Sequence, residues 1–465
     1  MYFEQFYLGC LAHASYMFGS GGEAVVVDPR RDVDLYLEAA SQQGLNIRHI
    51  FETHLHADFV SGHKELAART GAAIYIGAAA GATFPHVDVA DGFQLRVGTV
   101  LVKVLETPGH TPESICLLLT DTEKSPEPFA VLTGDTLFLG DVGRPDLSST
   151  HTPLQLAGMM YDSLHAKLMT LGDSVLVYPA HGAGSLCGRK MRSDSSSTIG
   201  TERLTNYALQ IRSRAEFVGE MTSNLPARPE YFAQDAAINR EGAPPLKELP
   251  DLKAITPAAL QSRVAQGATA LDVRAGDAFA SGHVRGSINI SLSGQFASWA
   301  AIVLGLTSHP VLIAESIEHV HEAKLRLARV GIEDVFGYLE NGIDGWRQAG
   351  CRLTSVPQIT VEELDTRLRN GSLRVLDVRR QGEWDAGHIA EASLCSLDTF
   401  NAGLPQVSSD KPLAVHCKSG YRSMIACSLL QRAGYRNVVN VVGGFDAWQL
   451  AQLPVTSERP SAVGA

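Results

Sequence analysis

At four places in this chain a short apolar run ends in a side chain able to bind metal. His49 to Thr53 leads into His54-Leu55-His56-Ala57-Asp58, and Leu101 to Glu106 leads into Thr107-Pro108-Gly109-His110. Ala130 to Thr133 leads into Gly134-Asp135, and Ser174 to Tyr178 leads into Pro179-Ala180-His181. Imidazole and carboxylate groups are ligands for divalent transition metals. The glycines beside them, Gly109, Gly134 and Gly182, suit turns in which backbone approaches a site closely. A lone histidine such as His63, His86 or His165 is more often hydrogen-bonded than ligating, but His54, His110 and Asp135 together read as a metal site. A second kind of chemistry lies near the other end, in His416-Cys417-Lys418-Ser419-Gly420-Tyr421-Arg422-Ser423. This segment follows an apolar strand, Leu413 to His416, and precedes a helical run from Met424 to Arg432. Such a turn points successive N–H groups inward, and the helix N-terminus adds positive potential, so the cradle favours a sulfur anion on Cys417.

The elements that position these residues follow from the same runs. The four ligand-bearing strands are expected to lie in one sheet and to deliver their ends to one edge. Between Asn224 and Pro250 the periodicity is poor and five prolines occur (Pro226, Pro229, Pro244, Pro245, Pro250), which reads as an extended linker. Beyond it the chain repeats itself. Leu271-Asp272-Val273-Arg274 returns about 105 residues later as Leu376-Asp377-Val378-Arg379, and Gly282-His283 returns as Gly387-His388. Asn341-Gly342-Ile343-Asp344-Gly345-Trp346 is answered by Gly443-Gly444-Phe445-Asp446-Ala447-Trp448. Three landmarks in one order mark two copies of one domain. Short apolar strands alternating with helical stretches predict a parallel sheet in each. The first copy has Ala314-Glu315-Ser316 where the second has Cys417 and its loop, so it lacks the thiol and reads as a structural or docking element; Cys351 lies past its last landmark. The expected domains are 1–245, 246–356 and 357–465, with Pro357 at the last seam.

Composition narrows the function classes. A net charge of -11 without a long basic run argues against nucleic acid or an anionic membrane as partner. No apolar run approaches the roughly 20 residues of a membrane span, and the first residues lack a signal-peptide pattern, so a cytoplasmic protein is expected. Seven scattered cysteines form no CxxC pair and no disulfide framework. Small molecules are the expected partners.

T-H-L-H-A-D, followed by P-G-H-T, G-D-T-L-F and P-A-H-G, resembles the metallo-β-lactamase superfamily over roughly residues 1 to 240. The resemblance implies an αββα sandwich with the metal at one edge, and hence an α/β multidomain chain ending in two parallel-sheet domains. Binuclear hydrolases of that superfamily, including the glyoxalase II thioesterases, read H-x-H-x-D-H, whereas here Phe59 follows Asp58. Losing that nitrogen predicts a mononuclear site. The persulfide dioxygenase branch is the more similar, and it implies one Fe(II) per chain on His54, His110 and Asp135, with zinc the less favoured metal. Two imidazoles and one carboxylate leave positions open for O2 and a substrate sulfur. His56, Asp58 and His181 are then hydrogen-bonding neighbours of the metal rather than ligands. Arg144, in Gly143-Arg144-Pro145-Asp146, resembles a substrate-contacting arginine of that branch, and Ala183 to Gly188 with Ser197 to Gly200 resembles the form fused to rhodanese modules, where Cys187 could carry sulfur.

C-x-x-x-x-R is similar to the active-site loop of the rhodaneses, with Cys417 and Arg422 catalytic and Lys418, Ser419, Gly420, Tyr421 and Ser423 cradling the sulfur. The combined resemblance implies oxidation of a low-molecular-weight persulfide, glutathione persulfide or similar, with O2 to sulfite and thiol. Sulfane-sulfur transfer forming or consuming thiosulfate accompanies it, in a homo-oligomer. The rival expectations are a zinc thioester hydrolase of glyoxalase II type fused to a sulfurtransferase, and a sulfur carrier or sensor without turnover.

Overall fold

The computed structural model describes residues 1–223, 225, 227–405 and 411–457. Asn224 and Pro226, at the start of the expected linker, and residues 458–465 of the last expected domain lie outside the described residues. The chain divides into two compact units, one of Met1–Leu249 with the short segment Ala328–Gly331, the other made of the remainder.

The first unit holds two six-stranded sheets. β1 (Tyr2–Leu8), β2 (His13–Ser20), β3 (Glu23–Val27), β4 (Asn46–Glu52), β5 (Ala73–Gly77) and β6 (Val87–Val89) lie in sequence order. β7 (Gln94–Val97), β8 (Val100–Glu106), β9 (Ile115–Asp121), β10 (Ala130–Gly134), β11 (Leu176–Pro179) and β12 (Ser197–Thr198) form the second. Strand side chains alternate between faces, and here both faces are apolar and buried. Tyr16, Phe18, Val25, Val27 and Phe51 from the first sheet meet Val102, Val104, Leu117, Leu119 and Leu132 from the second in one core. The intervening Met17, Val26 and Ile50 point the other way, onto Tyr36 and Leu66 of the helices Asp34–Gln42 and His63–Thr70. Cys116, Leu118 and Val131 likewise turn outward onto Met160, Leu164 and Phe217 of the helices Pro153–Ala166 and Arg214–Thr222. The result is the four-layer αββα sandwich.

Two expectations need correction. The ligand-bearing strands do not share a sheet: β4 belongs to the first, while β8, β10 and β11 belong to the second. The site therefore sits where the edges of two sheets meet. The expected extended linker contains a helix, Tyr231–Glu241, that belongs to the first unit. Its buried residues are Tyr231, Phe232, Asp235 and Asn239. Two of these four are polar, so apolar periodicity could not reveal the buried face.

The second unit contains two five-stranded sheets built alike. β13 (Ala254–Ile255), β14 (Ala270–Asp272), β15 (Ile288–Asn289), β16 (Val311–Ile313) and β17 (Gly337–Leu339) take the order β13-β17-β16-β14-β15. β18 (Gln358–Ile359), β19 (Arg374–Asp377), β20 (Ala392–Leu394), β21 (Leu413–His416) and β22 (Val438–Val441) repeat it as β18-β22-β21-β19-β20, and every pairing is parallel.

The repeated landmarks hold this frame together. Arg274 forks onto Asp272 at 2.9 and 2.7 Å and donates to the Gly282 carbonyl, while Arg379 forks onto Asp377 at 2.8 and 2.7 Å and donates to the Gly387 carbonyl. His283 stacks on Phe279 and His388 on Trp384, both at 3.7 Å. These buried pairs satisfy their charges internally, so the shared motifs mark scaffold rather than chemistry.

Candidate metal centre and sulfur cradle

The metal candidates converge. One ligand atom each from His54, His110 and Asp135 lies within 4.8 Å of the others, and all three residues are buried. The His54 and His110 Nε2 atoms face Asp135 Oδ2 at 3.8 and 3.3 Å. Each ring is aimed by its other nitrogen. His54 Nδ1 donates to Thr53 Oγ1 at 3.0 Å, and that hydroxyl donates to Asp28 Oδ2 at 2.9 Å. His110 Nδ1 donates to the Arg144 carbonyl at 2.9 Å. Fixing Nδ1–H in this way leaves Nε2 as the lone-pair donor toward the site.

Asp135 divides its oxygens: Oδ1 accepts from His181 Nδ1 at 2.7 Å, whereas the buried Oδ2 has no hydrogen-bond partner. A fully buried carboxylate oxygen without a donor, faced by two imidazole nitrogens, fits a bound cation. Burial opposes ionisation of Asp135, but His181, His110 and His54 outweigh it and hold the carboxyl well below its usual range. Burial holds His54 and His110 below the usual imidazole value, the form that can ligate.

Backbone must come very close here. Gly134 has φ +51, and a Cβ there would meet Thr53 Oγ1 at 2.7 Å. Gly143 is more constrained, since its Cβ would meet the Asp135 carbonyl at 2.1 Å and His110 Nδ1 at 2.8 Å.

The structure also brings His56, Asp58 and His181 together. One ligand atom each from His56, Asp58 and His181 also lies within 4.8 Å of the others. His181 Nε2 lies 3.0 Å from Asp58 Oδ2 and His56 Nε2 lies 3.2 Å from Asp28 Oδ1. Burial works against protonating His181, but Asp135 and Asp58 prevail and raise its pKa well above the usual value. Cys187 is buried, with Sγ in a third such group with Asp135 and His181. Burial, then Asp58 and Asp135, push its thiol well up, so it sits beside the candidate ligands as a neutral thiol. The Arg144 guanidinium forks onto Asp146 at 2.7 and 2.9 Å and donates to the Leu186 carbonyl at 3.3 Å. Its N–H donates to the Cys187 carbonyl. The structure thus uses Arg144 to tie the His110 support to the Cys187 loop.

Two contributors escaped sequence reasoning. His13, opening β2, is fully buried with both ring nitrogens unpartnered, and its ring lies 4.1 Å from Phe59, 5.7 Å from His56 and 5.6 Å from His181. Burial, with His181 and His56 nearby, keeps it well below the usual value. A histidine in an otherwise apolar strand was its only signal. Asn239 donates to the His56 and Phe59 carbonyls at 2.7 and 2.8 Å and accepts from the Ser61 N–H at 2.8 Å, clamping the His54–Asp58 loop. Its helix was hidden in the presumed linker.

The sulfur cradle is local. Cys417 is 1% exposed, and the Gly420 N–H donates to its Sγ at 3.1 Å. The following helix runs Tyr421–Arg432, three residues earlier than the expected Met424, so its N-terminus abuts the loop. Ser423 Oγ lies 3.8 Å from Sγ and donates to Asn440 Oδ1 at 2.7 Å. Lys418 and Ser419 are exposed at the rim. Arg422 forks onto Glu383 at 2.6 and 2.7 Å, a partner the sequence reading did not single out. The Phe445 and Asp446 N–H groups donate to the Cys417 and Lys418 carbonyls, so the last landmark seats the loop. The Tyr421 hydroxyl donates to the Ser291 carbonyl of the first copy at 2.8 Å. In that first copy Ala314 occupies the cysteine position: a Cβ on Gly342 would meet the Ala314 carbonyl at 2.6 Å, as one on Gly444 would meet the Cys417 carbonyl at 2.4 Å. Three residues rather than four then separate strand from helix.

Comparison with known proteins agrees with this division. Residues 8–181 match the metallo-β-lactamase superfamily, and residues 256–349 and 360–451 each match the rhodanese-like domain. The mitochondrial persulfide dioxygenase ETHE1 of Mus musculus is 31% identical over 44% of this chain and 73% of its own length. A hydroxyacylglutathione hydrolase of Rhodospirillum rubrum is 30% identical over 47% of this chain and 77% of its own. The crystal structure of a metallo-β-lactamase from Staphylococcus aureus is 34% identical, covering 73% of this chain and 98% of its own with a TM-score of 0.66. With a buried His-His-Asp group at the junction of two sheets and a cysteine cradle on the second of two matching parallel-sheet domains, this chain belongs to the metallo-β-lactamase superfamily, in a form fused to two rhodanese-like domains.

Proposed function

We propose that the chain oxidises low-molecular-weight persulfides with O2 at one Fe(II) and moves sulfane sulfur on Cys417. One persulfide, one O2 and one water give one thiol, one sulfite and two protons. The observation that carries this reading is Phe59, 1% exposed and 4.4 Å from the His56 ring, where the superfamily's binuclear hydrolases place a further histidine. His54, His110 and Asp135 then make a three-ligand set with open positions.

Iron held there would supply the redox chemistry of the O2 reaction. The chain's own residues orient and exclude. Thr53 with Asp28, and the Arg144 carbonyl, aim the two imidazoles. His181 keeps its Nδ1 proton on Asp135 Oδ1 and so leaves Oδ2 as the ligand oxygen. Cys187 Sγ lies with Asp135 and His181 and would face a substrate sulfur held there; taking the outer sulfur would convert the cysteine to a persulfide and release the carrier as its thiol, which takes up the proton that Cys187 gives up. Arg144, whose guanidinium forks onto Asp146, is the candidate contact for a carboxylate of the carrier thiol. In the last domain the Gly420 N–H and the helix N-terminus stabilise a terminal persulfide anion on Cys417, which carries sulfur in either direction between thiosulfate and a thiol.

The test is oxygen uptake by anaerobically purified protein loaded separately with Fe(II) or zinc, on adding glutathione persulfide. The expected outcome is uptake with iron alone, matched by sulfite or thiosulfate and abolished in His110→Ala. Thioester hydrolysis with zinc and no oxygen uptake would overturn the reading in favour of a hydrolase.

A further inference from the structure

The second unit contains a cleft of about 1050 Å³ at the seam between its two copies, at the far end of the helix that starts at the Cys417 loop. Gln431 of that helix lines it, and a 12-residue helix spans roughly 18 Å. The cleft is thus separate from the sulfur cradle. Arg285 and Arg352 of the first copy and Arg436 of the second, all three exposed, line it, and no aspartate or glutamate does. None of the three arginines has an ion-pair partner among the described residues, although the chain carries a net charge of -11.

Offsetting the helix C-terminus does not account for three cations. One arginine suffices for that role, and Arg432 in the last turn already donates to the Gly286 carbonyl at 2.8 Å. Nor is the seam loosely joined. Gln431 spans from His283 Nε2 at 3.1 Å to the Ser355 carbonyl at 3.0 Å, and the Asn289 N–H donates to Ser428 Oγ at 3.1 Å. The cleft is therefore held open by a fixed interface, with three like charges on its solvent-facing wall and no ion-pair partner for them among the described residues.

The geometry points to a binding site for a multiply phosphorylated organic anion of nucleotide size. Guanidinium forks match phosphate oxygens two at a time, and three forks match more than one phosphate. The volume decides against an inorganic oxyanion such as thiosulfate, which would fill a small part of a cleft of ligand-pocket size. Tyr435, half-buried and held by its hydroxyl on the Pro405 carbonyl at 2.6 Å, supplies a flat wall for the organic part. The site is independent of the persulfide chemistry proposed above.

The experiment is calorimetric titration of the full chain with coenzyme A, ATP and thiosulfate in separate arms. It is done for the unaltered protein, for Arg285→Ala with Arg436→Ala, and for Arg48→Ala, at an exposed position of β4, as a charge control. The expected result is one-to-one binding of a phosphorylated ligand, weakened roughly tenfold per arginine removed from the cleft and unchanged by Arg48→Ala. Binding of both coenzyme A and ATP assigns recognition to the phosphates, and binding of one alone assigns it also to the organic part. All three substituted arginines are exposed, and matching thermal melts of the two variants confirm that they fold. Binding that survives the double variant, falls equally in Arg48→Ala, or is confined to thiosulfate overturns the assignment.

Discussion

The sulfur cradle and the metal centre hold reactive groups with very different shares of the chain. Cys417, Gly420 and Ser423 fall within seven consecutive residues, and the turn into the helix Tyr421–Arg432 creates most of their geometry. The candidate metal centre draws on His13, Asp28, Thr53, His54, Asp135, His181 and Asn239, from both sheets and a remote helix. A local site can be lost by changing a few residues while its frame persists. The first rhodanese-like copy demonstrates this: Asp272, Arg274 and His283 keep the contacts of Asp377, Arg379 and His388, yet Ala314 stands at the cysteine position. A distributed site cannot be erased so cheaply, because its parts also carry the packing of the sheets.

The sharpest break of this comparison is Cys417→Ser. Sulfur transfer from thiosulfate is expected to fall by more than about a thousandfold, the loss usual for a covalent nucleophile, while iron-dependent oxygen uptake stays at its original rate. Substantial residual transfer would instead assign the carrier role to Cys187. Asn239→Ala should have the intermediate effect. It leaves the His56 and Phe59 carbonyls and the Ser61 N–H without their partner, so a loss of about 3 kcal/mol in stability is expected, with metal binding weakened roughly 10- to 100-fold. Thermal unfolding and metal competition read the two quantities, and unchanged metal affinity would reduce Asn239 to a helix anchor. The smallest effect belongs to Tyr421→Phe, which removes one hydrogen bond to the first copy at Ser291. About 1 kcal/mol is at stake, so sulfur transfer should slow a few-fold with oxygen uptake unaltered. Identical transfer rates would show that the thiol-less copy does not steady the loop.

Much of this was legible in the residues alone. The C-x-x-x-x-R loop rests on spacing within six residues, and the two-copy repeat and the candidate set of His54, His110 and Asp135 on short motifs, each readable in one dimension. The αββα layering was equally legible through its motifs. The placement of β4 in one sheet and β8, β10 and β11 in the other was not, because alternation records which faces are buried and not which strand lies opposite. The fork of Arg144 onto Asp146, two residues on, was likewise not legible, because spacing does not say which carboxylate a guanidinium meets. Asn239 stayed hidden because the helix Tyr231–Glu241 is anchored partly by polar residues among prolines. The sequence by itself determined which groups can ligate, carry sulfur or pair. Only the tertiary structure decided which of them meet, because convergence depends on burial and partner geometry contributed by segments far apart in the chain.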